Sequence, residues 1–347
     1  VYGGKGGSGG LLGEELLDFS SVPREELERL KTTPATALGT SRDALDAEDY
    51  RRMAEILKAH DIRFVLMNGG NGTMDACGRL EAACRGTGIR VMGIPKTMDN
   101  DIAVTDHCPG FGSVARYMAG TIRELGVDVR SLPIHVVVVE ALGRNAGWTT
   151  AAAALAREQD EDAPHLLYPP ERPFVEEEFL EETAAMQRRY GGVVIVASEG
   201  LHGADGKPIV EPIFQTGRST YFGDVSSHLA QLVVRRLGIK ARSEKPGILA
   251  RASIVWQSPV DAAEAEEAGR AACRAALAGE SGKMVAFRRL PGKEYRCETF
   301  LAPIEQVMLG ERTMPAEYLS GSGVTKEFID WCRPLIGPEL PRMARLF

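Results

Sequence analysis

Pro95-Lys96-Thr97-Met98-Asp99-Asn100-Asp101 sets a cation, a hydroxyl and two carboxylates on one short loop. Moving a phosphoryl group onto a hydroxyl needs a cation on the migrating phosphate, a carboxylate to take the hydroxyl's proton, and usually a carboxylate for magnesium. An isolated Asp-Asn-Asp is more simply read as a solvated acidic turn. One strand earlier, however, stands Gly69-Gly70-Asn71-Gly72-Thr73, a glycine turn opening a helix. Backbone N–H groups can approach phosphate oxygens closely there, and the helix N-terminus favours anionic charge. Glycine also serves such turns for steric reasons alone, so the two segments carry weight together rather than singly.

These segments need elements to hold them. Asp46 to His60 reads as a helix with Asp46 as its N-cap. Phe64-Val65-Leu66-Met67 is a short apolar strand, followed by a helix from about Thr73 to Cys84. Val91 to Ile94 is the next strand, and Gly112 to Leu125 the next helix. His135 to Val139 is almost continuously apolar, as a strand covered on both faces should be. Ala146 to Arg157 reads as helix and Val193 to Val196 as another buried strand. Near the C-terminus Asp261 is expected to cap a helix, with Glu264 completing a capping box and Gly279 closing it. The alternation predicts an α/β fold with mainly parallel sheets. Ligands in such sheets sit beyond the carboxyl ends of the strands. Gly69–Thr73, Pro95–Asp101, Gly143-Arg144 and Ser198-Glu199-Gly200 all fall there, which points to one shared site.

The chain has 347 residues and a net charge of -7, with 44% apolar and 6% aromatic residues. That length suits two sub-domains or one large unit. The acidic balance argues against nucleic acid or an anionic membrane as the main partner. Cys77, Cys84, Cys108, Cys273, Cys297 and Cys332 form no Cys-x-x-Cys pair and no metal-ligand spacing, which suits a reducing, cytoplasmic compartment. There is no apolar run of membrane-spanning length and no visible signal peptide. The first residue is Val1, and the glycine-rich opening to Gly10 could pass for a linker. A natural chain start is expected to be missing.

Pro95 to Asp101 resembles the active-site loop of phosphofructokinases, usually Pro-Gly/Lys-Thr-Ile-Asp-Asn-Asp. Other segments resemble that family in the same order: Leu38-Gly39-Thr40-Ser41-Arg42, Pro109-Gly110-Phe111-Gly112-Ser113, Glu140 to Trp148, Ala197-Ser198-Glu199-Gly200, and Gly247-Ile248-Leu249-Ala250-Arg251. Together they cover most of the chain. The resemblance implies two Rossmann-like sub-domains. Residues 1–132 plus about 252–300 would bind the phosphoryl donor, and 133–251 plus about 301–347 would bind fructose 6-phosphate. It also implies a homodimer or homotetramer with sugar sites near subunit interfaces.

Roles follow by resemblance. Asp99 would be the general base, Lys96 a cation for the phosphate, and Thr97 a substrate ligand. Arg144 would bridge substrate and transferring phosphate, and Leu142 and Gly143 of the same turn would bind substrate. Glu199 would bind sugar hydroxyls, and Arg242 and Arg251 the 6-phosphate. Arg42, Gly70, Asn71, Gly72 and Thr73 would cradle the donor, and Asp101 and Asn71 would hold Mg2+. Arg42, Arg242 and Arg251 could each instead be surface ion-pair members.

The departures matter as well. Asn71 stands where many members have Asp, Leu142 replaces Met, Ala250 replaces Gln, and Ile248 stands where His or Tyr is common. His135 stands where some members carry an Arg that reaches a neighbouring subunit. The family's first strand and Gly-Gly-Asp/Val-x-x-x-x-Asn loop are absent, so an open sheet edge is expected.

On the donor, Gly72 resembles ATP users, while Lys96, the Cys108 to Tyr117 stretch and the segment after Arg251 resemble pyrophosphate users. Weighing the room at Gly72 above the rest predicts an ATP-dependent 6-phosphofructokinase, with pyrophosphate as the alternative donor. Two rivals remain from the residues themselves. One is a kinase with another acceptor, such as NAD or a lipid, since these also use glycine turns. The other is a non-catalytic sugar-phosphate-binding subunit.

Overall fold

The structure, a computed structural model, describes residues 1–41, 43–132, 135–216 and 219–344. The glycine-rich opening is folded, contrary to a linker. Strand β1 (Tyr2–Gly4) pairs antiparallel with β2 (Leu16–Asp18), with helix α1 (Gly7–Leu12) between them. Glycine is required at Gly10, because a Cβ there would lie 1.5 Å from the Lys5 carbonyl oxygen. Helix α2 (Arg24–Arg29) leads to α3 (Ala47–Ala59). Asp46 caps α3 as predicted, accepting from the N–H groups of Glu48 and Asp49, while Asp49 returns a bond to the Asp46 N–H.

Strand and helix then alternate through β3 (Phe64–Gly69), α4 (Asn71–Ala83), β4 (Arg90–Pro95), α5 (Phe111–Ser131), β5 (Val136–Ala141), α6 (Trp148–Ala152), β6 (Leu166–Tyr168), α7 (Glu176–Tyr190) and β7 (Val193–Ser198). The expected helix from Ala146 to Arg157 is α6 followed by a tighter 3-10 turn over Ala153–Ala156. The hairpin β8 (Pro212–Thr216) and β9 (Ser219–Phe222) precedes α8 (Val225–Leu237), β10 (Ala241–Glu244), α9 (Ile248–Ala252) and α10 (Pro259–Leu277). Next come β11 (Lys283–Arg289), β12 (Cys297–Pro303), the short β13 (Leu319–Ser320) and β14 (Gly323–Val324), and α11 (Lys326–Cys332).

Two four-stranded sheets result. In the order β12-β11-β4-β3, only β12 is antiparallel. In the order β10-β5-β7-β6, every pair is parallel. The fold is therefore α/β with mainly parallel sheets. The valine runs of β5 and β7 are buried at every position, as helices on both faces require. Strand β3 instead alternates and ends its sheet, leaving Phe64 43% and Leu66 39% exposed, the open edge that was expected. Helix α10 lies close on the first sheet through Ala268, Ala271, Ala272, Ala275 and Ala276, which pack with Met92, Val285 and Phe287.

The capping expectation for α10 needs correction. Ser258 is the N-cap, accepting from the Asp261 N–H at 3.3 Å. Asp261 lies in the first turn, and its buried carboxylate faces the start of α5, accepting from Gly110 N at 2.8 Å and Ser113 N at 3.1 Å. Glu264 bonds His107 and Tyr295 instead of the helix end. Among the described residues no helix is long and apolar enough to cross a membrane.

Candidate active site

Strand β4 delivers the Lys96–Asp101 loop beside the end of β3, where Lys96 N–H donates to the Gly69 carbonyl at 2.9 Å. The loop closes on itself. Thr97 N–H donates to Pro109 O at 3.1 Å, and Asp99 N–H donates to Thr97 Oγ1 at 3.1 Å. Asn100 is fully buried at φ 56, a left-handed kink that Asn tolerates better than most residues, and its Oδ1 accepts from Cys108 N at 2.9 Å. Gly110, at φ 107, lets the returning chain pass the Thr97 backbone, which a Cβ would meet at 3.2 Å.

This closure leaves Asp99 and Asp101 at one site. Burial pushes the Asp99 carboxyl up to about 6, with the Asp101 and Glu199 carboxylates adding to the shift and Lys96 opposing it. Burial also raises Asp101, against a hydrogen bond from the Thr97 hydroxyl. Asp99 therefore feels groups from both sheets: Lys96 and Asp101 after β4, and Glu199 after β7.

The glycine turn faces the same loop. Gly69 has no room for a side chain, since a Cβ would fall 2.1 Å from Thr73 Oγ1. Gly70 caps α4, and its carbonyl accepts from Thr73 N at 2.9 Å. Asn71 Nδ2 donates to the Asp101 carboxylate at 2.9 Å, while its own Oδ1 is buried without a partner among the described residues. Mg2+ is a hard cation that takes oxygen ligands. A carboxylate beside an unpaired buried amide oxygen suits it, so these residues fit the ion that the resemblance implies. Gly72 is exposed, and a Cβ there would meet nothing within 4 Å.

From the second sheet, the turn after β5 interlocks with the turn after β7. Glu199 N–H donates to Ala141 O at 3.0 Å, Gly143 N–H to Glu199 Oε1 at 3.3 Å, and Ser198 Oγ to Gly143 O at 2.7 Å. Gly200 must be glycine, because a Cβ would lie 1.7 Å from the Arg144 carbonyl oxygen. Leu142 and Gly143 are thus held against Glu199. Arg144 is exposed, with its guanidinium 5.4 Å from the centre of the Phe222 ring.

The remaining predicted arginines differ in placement. Arg251, on α9, is exposed and in no ion pair among the described residues, and the neighbouring Ala250 packs with Phe111, Ala146 and Trp148. Arg242 is also exposed and unpaired among the described residues, but it sits opposite Val137, near the amino end of β5. That is about 13 Å along the strand from Ala141, where the turn carrying Arg144 begins. Within one chain it is not brought to Asp99. Arg42 lies outside the described residues.

Sequence reasoning missed Glu171, Glu311 and Arg312. Glu171 Oε1 accepts from both Gly147 N and Met314 N at 2.8 Å. Glu311 accepts from Asn145 Nδ2 at 2.9 Å. These residues sit in irregular segments with no periodicity to flag them. Folding also gathers His107, Glu264 and Cys297, which no spacing rule relates, with ligand atoms within 4.8 Å of one another. His107 bonds Asp106 at 2.8 Å and Glu264 at 2.7 Å.

A carboxylate poised near neutrality beside a lysine, at the mouth of a strand–turn–helix anion cradle, is equipment for phosphoryl transfer to a hydroxyl. The chain matches the phosphofructokinase family over residues 1–276 and belongs to that family, a phosphotransferase with an alcohol acceptor. It is 37% identical to a pyrophosphate–fructose 6-phosphate 1-phosphotransferase of Xanthomonas campestris, covering 98% of this chain and 85% of that one. It is 35% identical to an enzyme of the same name from Rhodospirillum rubrum, over 100% of this chain and 88% of the relative. The crystal structure of a pyrophosphate-dependent phosphofructokinase from Marinobacter aquaeolei superposes with a TM-score of 0.89 at 35% identity, covering 99% of this chain and 87% of that one.

Proposed function

We propose that this chain transfers a phosphoryl group from pyrophosphate to the C1 hydroxyl of fructose 6-phosphate, giving fructose 1,6-bisphosphate. The observation that carries the chemistry is Asp99, a carboxyl lifted to about 6 and set beside Lys96. It is ionised at neutral pH yet basic enough to take the hydroxyl proton. The donor assignment rests on the relatives, whose names specify pyrophosphate. It reverses the preference for ATP drawn from the room at Gly72. ATP remains the second reading, favoured by the open space around that residue.

In this reading Thr97 and Asp99 meet the sugar, Lys96 neutralises the moving phosphate, and Arg144 holds substrate and phosphate in line. Glu199 accepts hydrogen bonds from sugar hydroxyls, beside Leu142 and Gly143. Gly70, Asn71, Gly72 and Thr73 cradle the donor. Asp101 and Asn71 hold Mg2+, which supplies charge neutralisation on the phosphates. Arg251 binds the 6-phosphate. The sheet of β3, β4, β11 and β12 forms the donor side and that of β5, β6, β7 and β10 the sugar side. This division follows the proposed sub-domains 1–132 with 252–300 and 133–251 with 301–347.

Arg242, remote from its own chain's Asp99, serves the sugar site of a second copy in a homo-oligomer. The exposed Ile213, Phe214, Tyr221, Ile248, Leu249 and Val255 support such an assembly. The test is an assay of the full chain with Mg2+, fructose 6-phosphate and either pyrophosphate or ATP. Turnover with pyrophosphate and none with millimolar ATP is expected. Turnover with ATP alone would overturn the donor, and none with either would overturn the reaction.

A further inference from the structure

Asp99 can act as a base only while its loop keeps its shape, and Lys96 to Gly110 lies outside helix and strand. Several residues bond the loop from outside, and one of them, Arg312, gathers four of its carbonyls. Arg312 Nε and Nη2 donate to the Asn100 carbonyl at 3.2 and 2.9 Å. Its Nη1 donates to the carbonyls of Thr105 at 2.7 Å and Asp106 at 2.6 Å. Its backbone N–H donates to Asp101 O at 2.7 Å. Four carbonyls of one loop thus converge on a single arginine.

The same segment is fastened on its other side to the turn that carries Arg144. The Arg312 guanidinium lies 4.6 Å from the centre of the Trp148 ring, whose Nε1–H donates back to Arg312 O at 3.3 Å. Glu311 accepts from Asn145, the neighbour of Arg144, and Glu171 ties Met314 to Gly147. Residues 311–314 therefore form a seam between the loop after β4 and the turn after β5. Only a guanidinium suits this place. Its planar fork spreads donors over three carbonyls, and its weak hydration tolerates the aromatic face.

We propose that Arg312 is a positioning residue for the reaction: it fixes Asn100, the residue between Asp99 and Asp101, and so sets both carboxylates against the Arg144 turn. This rests on Asp99 being the base. Arg312 need not touch substrate. Its effect travels through the main chain of the loop.

The test compares Arg312→Gln and Arg312→Lys with Asp99→Asn in the full chain, measuring kcat, the KM for fructose 6-phosphate and thermal melting. A displacement of the base by an ångström costs on the order of 100-fold in rate. Arg312→Gln should lower kcat by about that factor while KM changes about threefold or less. Arg312→Lys should fall between that variant and the parent in kcat, with KM again nearly unchanged. A purely structural role predicts a lowered melting temperature with kcat per folded molecule unchanged, and that result overturns the proposal. If the Gln variant does not fold, the Lys variant decides, and parental kcat there overturns it too. Turnover retained by Asp99→Asn would instead remove the base assignment itself.

Discussion

Asn71 donates its amide to the Asp101 carboxylate at 2.9 Å and leaves its own buried Oδ1 without a partner among the described residues. An unpaired buried acceptor is costly unless something comes to it. A cation shared with Asp101 would satisfy it. Asn71→Ala removes that oxygen and the hydrogen bond that orients Asp101. The Mg2+ concentration for half-maximal rate should rise about 10–100-fold, the usual effect of losing a supporting group at a metal. Titrating Mg2+ at saturating substrates checks this, and an unchanged titration removes Asn71 from the metal site.

Asp99→Asn should lower kcat by about 10²–10⁴-fold, the span for loss of a general base, with little change in KM. In the proposed reaction the base is the ionised carboxylate. The rate should therefore fall as pH drops through about 6, where burial and the neighbouring carboxylates hold this group. The same shift has a stability sign. A carboxyl raised in the folded state stabilises the fold below its unfolded value of 3.8, and that contribution is lost as pH rises through about 6. Asp99→Asn should thus raise the melting temperature at pH 7.5 and leave it nearly unchanged at pH 3.5. Equal melting curves at pH 7.5 would mean that the carboxylate is not held under this penalty.

The residues that announce the chemistry are local: a loop of seven residues and a glycine turn, each readable without knowing its neighbours. The buried strands were legible for a similar reason, because valine runs covered on both faces leave no other placement. What stayed hidden depends on distant partners. Asp261 has the right chemistry for an N-cap, but so does Ser258, and only the approach of Gly110 and Ser113 decides between them. The place of Arg242 follows from the register of β10 on β5, which no local pattern encodes. Arg312 sits in an irregular polar stretch and becomes meaningful only where four carbonyls meet it.

Arg251 is exposed and makes no ion pair among the described residues, which leaves its guanidinium open to a ligand. Arg251→Ala should weaken fructose 6-phosphate binding by about 2–5 kcal/mol, the cost of removing a charge-assisted contact. Donor affinity should hold. Measuring both affinities separates the two ends of the site, and a loss confined to the donor would mean that they had been assigned backwards.

Gly72 offers the sharpest test of the donor. It stands in the first turn of α4, exposed, with no atom of the described residues within 4 Å of where a Cβ would be, so the surrounding fold accepts a larger residue there. A carboxylate at a helix N-terminus is also electrostatically comfortable. Gly72→Asp should therefore leave the melting temperature within a degree or two of the parent's. Its effect should fall on the donor. The added carboxylate would fill and repel the region that the α-phosphate of a nucleotide occupies, whereas pyrophosphate is shorter and ends before it. With pyrophosphate as the natural donor, the variant should keep most of its rate, and any side activity with ATP should disappear. Parallel assays of parent and variant with each donor make the comparison. Loss of the pyrophosphate reaction with the fold intact would mean that the donor reaches past Gly72, and the case for a nucleotide would then be the stronger one.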